Sequence, residues 1–105
     1  MKSELIAEIL NRGKDDWLDF AEVMSIVRTH SRIDEPAAIA LSVELICEML
    51  EQRSISVGDL LKRGETVAFA PWDGPPRLIV ERIHANLINL GHRPGIGEIC
   101  WVSTV

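Results

Sequence analysis

Apolar residues Leu5, Ile6, Ile9 and Leu10 recur at helical spacing behind Ser3, a helix-capping residue, and Gly13 stands where a helix C-terminal glycine belongs. A second helix is predicted from Asp15 or Asp16, either of which can cap it, to about His30. It would put Trp17, Phe20, Val23, Met24 and Val27 on one side and Asp15, Asp19 and Glu22 on another. Ser31 to Glu35 is a linker in which Asp34 can cap the next helix, and Pro36 is tolerated in a first turn because its missing N–H has no partner there. The third helix, Pro36 to about Gln52, carries the clearest pattern. Ile39, Val43, Ile46 and Leu50 form one apolar row with Leu41, Leu45 and Met49 beside it, while Glu44, Glu48 and Glu51 share a polar stripe.

Beyond Arg53 the period changes from helical to alternating. Ile55-Ser56-Val57 reads as strand, Gly58-Asp59 as a break, Leu60-Leu61 as a half-turn and Arg63-Gly64-Glu65 as a hairpin tip. Thr66 to Trp72 is β-branched and aromatic enough for a strand. Asp73-Gly74-Pro75-Pro76 then opens a fourth helix, with Leu78, Ile79, Ile83, Leu87 and Leu90 facing inward and Gly91 ending it. A loop, His92 to Gly97, leads to a last strand, Glu98 to Thr104, whose apolar run suits cover on both faces. The expected fold is one α+β domain over residues 1–105, a compact, mostly helical unit of about four helices with a small antiparallel sheet. Helices followed by a hairpin give it a winged-helix-like outline, in which the third helix would be offered to a partner.

Composition narrows the chemistry. At 105 residues the chain is of single-domain size, and 47% hydrophobic with 26% charged residues is ordinary for a globular protein. The chain has no run of about 18 apolar residues with which to cross a membrane, and Glu4 and Glu8 interrupt the apolar stretch that a signal peptide needs, so a cytoplasmic location is expected. Cys47 and Cys100 lack a CxxC spacing and read as reduced core residues. The net charge is −5, and residues 1–59 carry six basic and twelve acidic side chains. Duplex DNA is therefore a disfavoured partner: the third helix has no Arg, Lys, Asn or Gln before Gln52, and its carboxylates would be repelled by phosphate.

No enzyme signature appears, and neither a metal nor a cofactor is expected. His30, His84 and His92 lack HxxxH or HExxH spacing, and GxSxG and SxxK are missing. The loop holding Gly91, Gly95 and Gly97 around His92-Arg93 could cradle an anion, but it follows a helix where a phosphate loop would link a strand to one. Among the tryptophans, Trp17 and Trp101 read as core residues. Trp72, inside the turn-forming run Ala70 to Pro76, is the expected aromatic contact.

The pieces Gly58-Asp59, Phe69-Ala70-Pro71-Trp72, Glu81-Arg82-Ile83, Leu90-Gly91, Pro94-Gly95-Ile96-Gly97-Glu98-Ile99-Cys100-Trp101 and Thr104 cover about half the chain. Together they resemble a group of small bacterial proteins similar to the immunity partners of secreted polymorphic or contact-dependent toxins. The resemblance implies a cytoplasmic binding protein that blocks a cognate toxin, and carries over no functional residue. Charge adds a mechanism: a nuclease toxin is basic where it holds nucleic acid, and an acidic surface would speed encounter and occlude that cleft. The expected partner-binding residues are Asp15, Asp19, Glu22, Glu44, Glu48, Glu51 and Trp72. A winged-helix DNA-binding regulator and a homodimeric adaptor are the alternatives.

Overall fold

The computed structural model describes residues 2–105. In chain order they form α1 (Lys2–Arg12), β1 (Leu18–Asp19), α2 (Phe20–Ser31), α3 (Glu35–Glu51), β2 (Ile55–Arg63), β3 (Thr66–Pro71), α4 (Pro76–Leu90) and β4 (Trp101–Thr104). All strand pairings are antiparallel, in the spatial order β1-β4-β2-β3. This is the α+β arrangement expected. β4 lies between β1 and β2, so the last strand joins the interior of the sheet, with β3 and α4 falling between β2 and β4 in the sequence.

Local chemistry sets the helix boundaries. Asp34 caps α3 by accepting a hydrogen bond from the Ala37 N–H at 2.9 Å, with Pro36 in the first turn, and Gly91 closes α4 in the left-handed conformation (φ 69°). The second helix starts later than the sequence suggests. Asp19 caps α2 in place of Asp15 or Asp16, because Leu18 and Asp19 are drawn into the sheet opposite Val102 and Trp101. β2 also corrects the expectation: it runs unbroken through Gly58-Asp59 and Leu60-Leu61. Gly58 sits inside the ladder because a Cβ there would lie 2.1 Å from the Ala70 carbonyl oxygen, so only glycine allows the two strands to approach. β4 begins at Trp101, three residues after the expected Glu98.

The core lies between the helices and one face of the sheet. Phe20, Val23 and Val27 of α2 meet Leu45, Ile46 and Met49 of α3, with Leu5 and Ile9 from α1, Ile79 and Ile83 from α4, and Val57 and Val102 from the sheet. Each of these side chains is almost fully buried, a gain of about 1.5–3 kcal/mol apiece before the cost of ordering the chain. α3 packs against α1, α2, α4 and β2 and is the axis of the domain. α4 turns Ile79 and Ile83 inward, whereas Leu78, expected beside them, is 44% exposed and leans toward Gly74.

Candidate functional site

α3 has apolar residues on most of its circumference, leaving one solvent-facing strip, and that strip carries Glu44, Glu48 and Glu51 at positions i, i+4 and i+7. α4 crosses beside it. Between them runs an open groove of about 460 Å³ with Ala40, Val43 and Val80 as its apolar floor. The three glutamates stand along its α3 side and the exposed His84 of α4 contributes to the opposite wall. Lys2 reaches in from α1 to pair with Glu44, which raises the lysine's affinity for its proton through the hydrogen bond to that carboxylate. Cys47 lies in the same groove, half-buried, with Sγ donating to Glu51 Oε1 at 3.2 Å. That hydrogen bond, then burial, pushes the Cys47 thiol pKa upward. So Cys47 is a wall residue of the groove, where a core position was expected.

The other acidic residues do not converge on this groove. Asp15 is exposed in the turn after α1, where it lines a separate depression with Asp16, Trp17 and Ser103. Glu22 is exposed on the first turn of α2; desolvation and the neighbouring Asp19 raise its pKa. Asp19 has no exposed surface at all, which removes it from any docking face. Its Oδ1 accepts from the Glu22 N–H and its Oδ2 from the Gly97 N–H, both at 2.9 Å, so it ties the start of α2 to the loop before β4. A carboxylate with both oxygens bonded to main chain is a structural clamp.

Trp72 is likewise a structural residue. It is only 8% exposed, its indole N–H donates to Asp59 Oδ2 at 2.9 Å, and its backbone N–H donates to the Val57 carbonyl. The Arg82 guanidinium covers the ring at 3.9 Å from the centroid and pairs with Asp59 at 3.5 Å. The turn-rich sequence around Trp72 suggested exposure, but the turn folds the ring back under α4. Trp17 and Trp101, expected in the core, keep part of their surface in solvent. Trp17 stacks on Phe69 with ring centroids 6.3 Å apart, joining the segment before β1 to the hairpin. The alternation of the strands could have flagged Trp101: Val102 beside it takes the buried face, leaving Trp101 the other.

Among the described residues no group of three or more His, Cys, Asp or Glu is placed to hold a metal ion, and no helix is long and apolar enough to cross a membrane. The groove is negatively charged along one wall and apolar at the bottom. Compared with family models, curated proteins and solved structures, the chain finds no match.

Proposed function

We propose that this domain is an immunity protein that docks a cationic face of a cognate toxin, a nuclease in the simplest form, along the α3–α4 groove. The observation that carries this reading is the stacking of Glu44, Glu48 and Glu51 along one wall of a groove whose floor is Ala40, Val43 and Val80. Carboxylates one helical turn apart match lysines or arginines of a partner segment, and an apolar floor supplies the desolvated centre that binding energy requires. Charge steers the encounter and the floor slows dissociation. The Lys2–Glu44 pair is exposed, and such pairs are worth little, so a partner cation can replace Lys2 at small cost.

Reading α3 as a DNA-recognition helix fits the same residues poorly. α4 packs along it, and the strip left in solvent is acidic.

The test is the triple charge reversal Glu44→Lys, Glu48→Lys, Glu51→Lys, measured by stopped-flow association with the purified polypeptide encoded beside this chain. We expect an unchanged far-ultraviolet circular dichroism spectrum and an association rate lower by about tenfold or more at low salt. An unaltered rate with an unaltered salt dependence would remove α3 from the interface.

A further inference from the structure

On the far side of the α2–α3 corner the charge inverts. Ser25, Arg28 and Thr29 lie on one side of α2 at i, i+3 and i+4, Arg32 follows as the residue that caps the helix C-terminus, and the loop after α4 brings Arg93 to the same cleft. They enclose a cleft of about 450 Å³ whose apolar lining includes Met24, Ile33 and Pro94. Among the described residues no acidic side chain lines it. Among the described residues, neither Arg28 nor Arg32 has a carboxylate within ion-pair distance. Arg93 is held from behind: its Nε lies 3.0 Å from Glu35 Oε1, with the N–H not aimed along that line, so the pair anchors the side chain by charge and leaves its terminal nitrogens uncommitted.

Basic residues near a helix C-terminus complement the helix dipole, which accounts for a positive charge at Arg28 and at the C-cap Arg32. It does not account for an arginine arriving from a loop some sixty residues later, nor for a long side chain in place of glycine at position 32, where the backbone is left-handed (φ 54°). We propose that this cleft is a binding site for a phosphate-bearing small molecule of the diphosphate type. Three guanidiniums can bracket the phosphate oxygens with paired N–H donors, and the Ser25 and Thr29 hydroxyls add two more donors. The apolar lining accommodates the organic part, and the volume falls within the range of small-ligand sites. In a chain of net charge −5 this is a local cationic pocket, fit for a small anion.

The experiment is a titration of isotope-labelled protein with inorganic pyrophosphate at constant ionic strength, followed by nuclear magnetic resonance of backbone amides and arginine Nε–H groups, with a DNA duplex as the second arm. Saturable shifts are expected at Ser25, Arg28, Thr29, Arg32 and Arg93. Arg28→Ala should weaken binding by about tenfold or more. Arg32→Gly should do the same while relieving the left-handed strain, which separates lost affinity from lost folding. Arg63→Ala, at the hairpin tip, should change nothing. Shifts that never saturate, or that fall equally on Lys62 and Arg63, would overturn the site, as would duplex binding through the same residues without any response to pyrophosphate.

Discussion

Asp19 ties the start of α2 to the loop before β4. Its carboxylate has no exposed surface and serves two backbone N–H groups seventy-five residues apart, those of Glu22 and Gly97. Asp19→Ala would leave both donors short of a partner and remove a helix cap, so we expect a loss of about 2–4 kcal/mol in urea unfolding, with Asp19→Asn losing less. The two cysteines differ in the same physical terms. Burial, then the charges of Asp19 and Asp59, pushes the Cys100 thiol up to about 12, from 9.0 for a free thiol. Because the folded-state value is the higher one, the stability linked to this thiol is fully present below pH 9. It is then lost as pH rises toward 12, since the unfolded chain gives up its proton first. A thiol-specific disulfide reagent at pH 8 should therefore modify Cys47 in the folded protein and reach Cys100 only after unfolding; rapid modification of both would refute the burial argument.

At the scale of elements, β2 and its hairpin depend on one glycine. Gly58→Ala would drive a methyl group into the Ala70 carbonyl, and we expect roughly 1–3 kcal/mol of destabilisation with selective loss of amide protection from Asp59 to Ala70. A variant with full protection and unchanged stability would mean that the two strands can part without cost. Gly58 also shows where sequence reading falls short: Gly-Asp ordinarily marks a turn, and nothing local reveals that a neighbouring strand needs the space of a missing side chain. α3 was legible because its apolar rows, its Asp34 cap and Pro36 all agree with one helix. α2 was misplaced at its start because Asp15, Asp16 and Asp19 are equal as caps, and only the pairing with β4 chooses among them. Trp72 was misread for a related reason, since its burial comes from Asp59 and Arg82, thirteen and ten residues away.

For the molecule as a whole, the fold divides charge between two sites that composition averages into a single −5. The α3 stripe was visible in the sequence as a periodicity, and the structure adds the groove floor that a stripe alone does not reveal. Arg28 and Arg32 were visible only as scattered basic residues and Arg93 as part of a glycine-rich loop that could cradle an anion, because their convergence depends on where the loop after α4 returns. A small domain with an acidic groove is suited to meeting a basic partner by electrostatic steering and holding it on a few apolar contacts. The most direct test of that account is nuclear magnetic resonance cross-saturation from an unlabelled partner to methyl-labelled protein in the stoichiometric complex. The account predicts transfer to the Ala40 and Val80 methyls on the groove floor. Transfer confined to Leu61, Val67 or Ile96, with Ala40 and Val80 silent, would contradict it.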